Sequence, residues 1–537
     1  MPCVKRNGMR ELLLGTVSGE LAAAVSLAAA ELVAIAVGPQ ASPVTAIGGT
    51  AIDATPVEVK NWAIRHFGTS DKLVLQLGIV ATLALFAAVV GVLAAYHRPA
   101  GVAGVAVFGA VGAVAAVRRP VGLWTDAFPS LVGALAGAAV LWLLAGRIRG
   151  QGPSAADDAG SPSPGYRREV PPPVGVFDRR GFLMAASAAA AFSAVGGTVG
   201  RRLNSTNAAA VASRDSVKLP APQSAAGRVP AGADLRIPGM QPFTTPNASF
   251  YRVDTALTVP QVDAGTWRLR IHGKGVTEPL EFTYQELLRR PLIERDITLT
   301  CVSNEVGGRY AGNARWIGVP LAALLKEAGV RPPSAGGPAD QLVARSVDGM
   351  TLGSPVETVL DGRDAMLAVG MNGEPLPFTH GFPVRMIVPG LYGYVSACKW
   401  LTDLELTTFA DFDAYWVRRS WSPQAPVKTS SRIDTPRPFA SLKAGPVPVA
   451  GVAWAQHRGI DRTEVRIDGG AWQAARPATE DTADTWRQWS YLWDAKPGSH
   501  RIEVRATDRT GRTQTGERQG TVPDGSTGWH SVVVTVE

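Results

Sequence analysis

Apolar positions are spread unevenly along the chain. Continuous apolar runs at about Leu12 to Val37, Leu73 to Tyr96, Gly101 to Val117 and Phe128 to Ile148 each approach the ~20 residues that a helix needs to cross the hydrocarbon of a bilayer. They predict four spans within a membrane domain of residues 1–149. Gly101 to Val117, short and rich in Gly and Ala, also fits a buried hairpin helix. The Pro- and Gly-broken stretch Pro39 to Thr55 predicts an external or re-entrant loop. Residues 150–178 hold too much Pro, Gly and Ser to bury a core and predict a linker. An Ala-rich, weakly apolar run over residues 179–200 predicts a fifth span, and residues 201–234 a second disordered spacer.

Beyond residue 234 the pattern is that of soluble protein. "GTWRLRIHG" alternates like a half-buried strand, "YQELLRR" and "PLAALLKEAGV" predict short helices, and "FPVRMIVPG" a buried strand ending in a turn. Residues 235–430 therefore predict an α+β domain. In residues 431–537 short strands such as "RTEVRIDGGAW" and "HSVVVTVE" alternate with Asp-Gly and Pro-Gly turns, the spacing of an all-β sandwich of immunoglobulin-like size.

Charge orients the membrane domain. Lys5, Arg6 and Arg10 predict a cytoplasmic N-terminus, and four spans return Arg147, Arg149, Arg167, Arg168, Arg179 and Arg180 to that side. The fifth span then carries everything beyond it to the extracytoplasmic face of the cell membrane. Arg118 and Arg119 fall on the outer side and count against the scheme. The pair Arg179–Arg180 before an apolar run matches a twin-arginine export signal, and equally the cationic flank of any span. The net charge of +8 comes with no aromatic-basic nucleic-acid motif.

There are three cysteines, Cys3, Cys301 and Cys398, and no CxxC or CxxCH, so neither a disulfide framework nor c-type haem attachment is supported. Cys301 ends the strand-like run "ITLT". It reads either as a small buried hydrophobe or as a thiolate ligand to a soft or high-valent metal. The segment "LTCVSNEVGGRYAGNARWIGVPLAALL" closely resembles the cysteine segment of the sulfite oxidase family of molybdenum enzymes. "TPNASFYRVDTAL" is similar to that family's first pterin-contacting loop, and "MNGEPLPFTHGFPVRMIVPGLYGYVSACKWL" to its pterin and phosphate segment. The C-terminal strands resemble its dimerisation domain, so the likeness covers about residues 235 to 537.

The resemblance implies a single molybdenum–molybdopterin cofactor with Cys301 as the metal ligand and catalytic cysteine. It implies cofactor contacts from Asn247, Tyr251, Arg252, His380, Arg385, Ser396 and Lys399, with Asp348 on a looser alignment. Taken alone, Arg385 and Lys399 offer a planar fork and a point charge suited to a phosphate, His380 a neutral donor and acceptor, and Ser396 a hydroxyl that in a turn most often caps backbone. A cofactor inserted in the cytoplasm needs export of folded protein, which agrees with the twin-arginine reading. The implied activity is oxygen-atom transfer on a small molecule.

No cytochrome b5-like "HPGG" is present, and His66 and His97 are not paired for axial ligation, so no intrinsic haem is expected. A separate cytochrome or quinone system would carry electrons, with Glu20 and Glu31 as the intramembrane acids worth inspecting. A homodimer is the expected assembly. The alternative is a transporter-like or cell-envelope protein whose external domain binds or supports without redox activity. One departure from the family bears on substrate: Glu305 and Val306 stand where sulfite oxidases carry paired arginines, and Met350 where they carry a tyrosine. A carboxylate ~4 Å from a bound anion costs on the order of 4 kcal/mol at an effective dielectric of about 20. Arg309 is close enough in sequence to compensate. The expectation is a neutral or cationic S-oxide or N-oxide in preference to sulfite.

Overall fold

A computed structural model describes residues 3–56, 71–119, 122–149, 178–205 and 208–537, with 59, 62 and 66 besides. The linker expected at 150–178 lies outside the described residues except for Asp178. The chain divides into two compact units, Met1–Asn207 with Thr255–Thr258, and Ala208–Asp254 with Val259–Glu537.

The first unit is helical: α1 (Cys3–Val37), α2 (Pro43–Ala54), α3 (Asp71–Tyr96), α4 (Arg98–Val117), α5 (Phe128–Arg149) and α6 (Arg179–Ser205). Among the described residues five helices are long and apolar enough to cross a membrane, and the short Gly/Ala-rich run is one of them, Arg98–Val117. The bundle buries small residues and Leu141 and Leu144, while Leu77, Leu85, Val107 and Leu135 point outward at 60% to 71% exposure. That is the inverse of a water-soluble surface. The stretch expected as a loop between the first spans is helical instead. Pro43 sits in the first turn of α2, where no N–H is required, and Ala46 packs against Ala115 and Ala116 of α4. The Glu31 carboxylate accepts from Ser42 Oγ at 2.6 Å, and Arg119 pairs with the nearly buried Asp126 at 2.8 Å. Pairing offsets the charge of Arg119, one of the two arginines that count against the orientation.

The second unit holds four sheets. One has the order β2 (Leu280–Thr283), β1 (Arg268–Gly273), β10 (Leu401–Thr407), β5 (Gln341–Ser346), β6 (Thr351–Pro355), with only the β1–β10 pairing parallel. The next has β3 (Ile293–Thr300), β4 (Ala311–Pro320), β7 (Met366–Met371) and β8 (Glu374–Pro375), with β9 (Arg385–Ile387) added to β7. Short helices Tyr284–Leu288 and Leu321–Glu327 stand where the sequence places them, the first closed by a Thr283–Glu286 capping box. Residues 208–234, expected as disordered spacer, are ordered. Ala208–Ser216 is a helix, and Ser224 bridges to Ile293 on the outer edge of β3. This stretch builds no core of its own, but its backbone covers an otherwise open strand edge.

The C-terminal strands form two further sheets, β11 (Ser430–Thr435), β13 (Gly445–Trp454), β17 (Arg487–Ala495), β16 (Arg476–Pro477), and β12 (Ser441–Leu442), β19 (His530–Val536), β18 (Gly498–Asp508), β14 (Ile460–Ile467), β15 (Gln473–Ala474). Val449, Trp489, Val465, Ile502, Val504 and Val534, drawn from both sheets, share one core.

Candidate active site

Strand β3 delivers Cys301 into the interior. The last five residues of β3 are all buried, so its threonines need partners. Thr298 Oγ1 donates to Asn313 Oδ1 at 3.0 Å and accepts from the Trp486 N–H at 2.7 Å. Cys301 itself is 8% exposed. Its N–H donates to Tyr310 O at 2.9 Å, and its carbonyl accepts from Asn304 N at 3.1 Å. Burial pushes its thiol pKa up, opposed by hydrogen bonds from Ser303 and the charge of Lys399. Without a metal the sulfur stays a thiol, whereas metal coordination would deprotonate it.

Four segments gather into one cluster, of which Tyr251 and Lys399 act electrostatically with Cys301. Asn247 opens a one-turn helix, Asn247–Ser249, and Tyr251 and Arg252 follow it. The Tyr251 phenol has its pKa raised by burial and by Cys301. His380 ends the turn Phe378–His380, and its Nε2–H donates to Asn247 O at 3.0 Å. Burial, then Arg385, lowers its pKa to about 4, so the ring is neutral at pH 7. With Nε2 donating to a carbonyl, Nδ1 is left as an acceptor.

Arg385 starts β9 and is 5% exposed. Its Nη1 donates to His380 O at 3.2 Å, while its Nε is buried without a partner. Burial lowers its pKa to about 10. Lys399 Nζ binds Asp254 and, at 3.3 Å, Thr379 O. Burial, only partly offset by Asp254, lowers its pKa to about 8. Gly381, at φ 109°, lets these two cations approach: a Cβ there would lie 3.0 Å from Lys399 Cβ and 3.1 Å from Arg385 Cβ.

Two expected contacts are placed differently. Ser396 Oγ donates to Leu391 O at 3.0 Å and Tyr392 O at 3.1 Å, so its proton is spent on backbone. Asp348 lies in the turn between β5 and β6 and accepts from Met350 N at 3.3 Å; burial, and after it the Asp348 charge, raises the pKa of Cys398. Glu305 and Arg309 are exposed, so water screens the Glu305 carboxylate and the repulsion falls well below the sequence-based figure. Met350 is packed against the core.

Sequence reading missed Asp254 and Asn372. Asp254 accepts from Arg252 Nε at 2.8 Å and Nη2 at 3.2 Å as well as from Lys399. Asn372, at φ 52°, donates to Asn247 Oδ1 at 2.8 Å and Thr245 O at 3.0 Å. The "RVD" triplet and the "NG" turn were the available signals, but neither names its distant partner.

The cluster sets Arg252, Arg385 and Lys399 against the Asp254 carboxylate, with Arg385 Nε buried and unmatched. That donor set fits an anionic group such as a pterin phosphate. Among the described residues no group of three His, Cys, Asp or Glu side chains could hold a metal.

Comparison with known proteins agrees with this chemistry. The family model for the oxidoreductase molybdopterin binding domain matches residues 256–416. Those residues contain Cys301, Asp348, His380, Arg385, Ser396 and Lys399; Asn247, Tyr251 and Arg252 lie just before them. Human mitochondrial sulfite oxidase is 28% identical over 306 residues, 49% of this chain and 55% of that one. Sulfite oxidase of Gallus gallus is 30% identical over 296 residues, 47% and 62% of the two chains. Inducible NADH nitrate reductase 2 of Glycine max is 29% identical over 318 residues, 48% and 35%. The crystal structure of the sulfane dehydrogenase SoxCD from Paracoccus pantotrophus aligns with a TM-score of 0.48 at 26% identity, covering 55% of this chain and 84% of that one. The chain spans little more than half the length of the human sulfite oxidase it matches. A buried cysteine, a convergent cation cluster and the family match mark residues 256–416 as an oxidoreductase molybdopterin binding domain, in a chain similar to sulfite oxidases.

Proposed function

We propose that residues 235–430 hold one molybdenum–pyranopterin cofactor and catalyse oxygen-atom transfer on a small molecule at the outer face of a membrane. The observation that carries this reading is the buried Arg385 guanidinium with its unmatched Nε, an arrangement that calls for an anion. When bound, the cofactor supplies a two-electron centre for oxygen-atom exchange. The chain's own part is positional. Arg385, Lys399 and Arg252 hold the phosphate, Asn247 and His380 receive the pterin, and Tyr251, kept protonated, donates a hydrogen bond beside Cys301. Cys301 is the protein ligand to the metal and tunes it. Asp348 lies at the margin, and Ser396 acts through the backbone it caps.

The helical unit serves as a multi-pass anchor with a cytoplasmic N-terminus, and Arg179–Arg180 directs export of the folded domain. Five apolar helices and the exposed position of both arginines favour this. Electrons pass to a separate cytochrome or quinone system. The C-terminal sheets act as an immunoglobulin-like, dimerisation-type domain. An S-oxide or N-oxide is the favoured substrate over sulfite, because Glu305, Val306 and Met350 replace the groups that would hold an anion.

Molybdenum and pterin analysis of the purified chain, with a substrate screen using an artificial electron acceptor or donor, tests the reading. Near-stoichiometric metal and turnover are expected. A folded chain devoid of both would favour a binding or structural envelope role instead.

A further inference from the structure

We propose that the C-terminal sheets belong to the reactive centre, with Arg432 as a positioning residue that fixes the loop carrying Cys301. The proposal rests on the reading of Cys301 as the reactive cysteine. Residues 301–310 form a loop closed at its base by the Cys301 N–H to Tyr310 O bond and within by Tyr310 N to Asn304 Oδ1 at 2.7 Å. The loop presents two outward carbonyls, and both are met from beyond residue 416. Arg432 Nη1 donates to Gly308 O at 2.8 Å, and Ser526 Oγ donates to Asn304 O at 2.7 Å.

Arg432 is itself held rigid. Its side chain is 5% exposed, and its Nε pairs with Asp434 at 2.7 Å. The next residue, Ile433, donates its N–H to His530 Nδ1 at 3.0 Å. The other edge of that ring closes on Gly307, at φ 81°, where a Cβ would lie 2.1 Å from His530 Cδ2. Just ahead of the cysteine, Gln456 Nε2 donates to Thr298 O at 2.9 Å and Thr300 Oγ1 at 2.8 Å. Strand end and loop are thus gripped on both sides of Cys301 by side chains from the C-terminal strands and the loops between them. Hydrogen bonds to a charged donor are the stronger kind, which makes Arg432 the principal clamp.

Alkylation of the full-length, cofactor-free chain, followed by mass spectrometry of the Cys301 and Cys398 peptides, reads the loop directly. Cys398 is 1% exposed and serves as an internal reference for general loosening. Arg432→Met should speed labelling of Cys301 about tenfold with Cys398 unchanged, Arg432→Lys less, and Ser526→Ala by a smaller factor. In metal-loaded protein, Arg432→Lys should shift the Mo(V) resonance while leaving molybdenum content intact. Labelling needs no metal, so it stands apart from the molybdenum analysis. Unchanged Cys301 labelling in Arg432→Lys and Ser526→Ala, or a parallel rise at Cys398, would overturn the proposal.

Discussion

The guanidinium of Arg385 lies over the indole of Trp316, its Cζ 5.0 Å from the ring centroid. The aromatic face fixes the plane of the cation and shields it from water, which strengthens any charge-assisted bond its free Nε makes. A lysine at this position would keep the charge but lose the plane.

Arg385→Met should therefore weaken cofactor retention by roughly 30- to 4000-fold, the factor that 2–5 kcal/mol for one member of a buried charge pair represents. Molybdenum per chain after gel filtration measures it. Arg385→Lys should fall between, and wild-type occupancy in Arg385→Met would remove the residue from the site.

Cys301→Ser separates tuning from holding. Because the phosphate contacts spread over Arg252, Arg385 and Lys399, the variant should keep much of its pterin fluorescence while oxygen-atom transfer is abolished. Full activity in metal-loaded Cys301→Ser protein would end the ligand assignment.

Acid should loosen the cofactor-free chain through His380. Its folded pKa of about 4 lies below the free value of 6.5, so between these values the unfolded ring takes a proton that the folded ring refuses. Stability is thus full above pH 6.5 and is lost as pH falls toward 4, by on the order of 3 kcal/mol for this 4%-exposed ring. Thermal unfolding from pH 7 to 4.5 should show the decline, and His380→Gln should flatten it.

Export depends on the paired arginines as a recognised motif. Both are exposed at the start of α6. Changing Arg179 and Arg180 together to Lys keeps the charge, so the first four spans should still insert while the catalytic domain stays inside. External protease that still digests the domain in intact spheroplasts would refute the signal.

Substrate charge is tested at Glu305. Its exposure leaves about 1 kcal/mol of repulsion at ~4 Å in water, so Glu305→Arg should raise kcat/KM for sulfite at least about fivefold. Efficient sulfite oxidation by the unaltered chain, with a micromolar KM, would instead show that the loop already accommodates the anion.

Much of this protein was determined by local sequence. Apolar runs of about 20 residues specify helices that can cross a membrane wherever they occur, and alternation marked β1 and the C-terminal strands because side-chain direction repeats every second residue. The cysteine segment was legible because strand, thiol and glycines are contiguous. What only tertiary structure decided are the relationships between residues distant in sequence. Asp254 serves both Arg252 and Lys399, the latter 145 positions away, and Arg432 reaches back 124 positions to Gly308. Neither pairing has a periodic signature, since it depends on which backbone turns bring the ends together. Ser396 shows the converse: a hydroxyl in the right segment spends its proton on its own turn, because a carbonyl four or five residues away is a nearer acceptor than any ligand. The helix at Pro43 and the ordered stretch after Ala208 likewise owe their structure to neighbours, Ala115 and Ala116 for one and the free edge of β3 for the other. Packing supplied there what composition withheld.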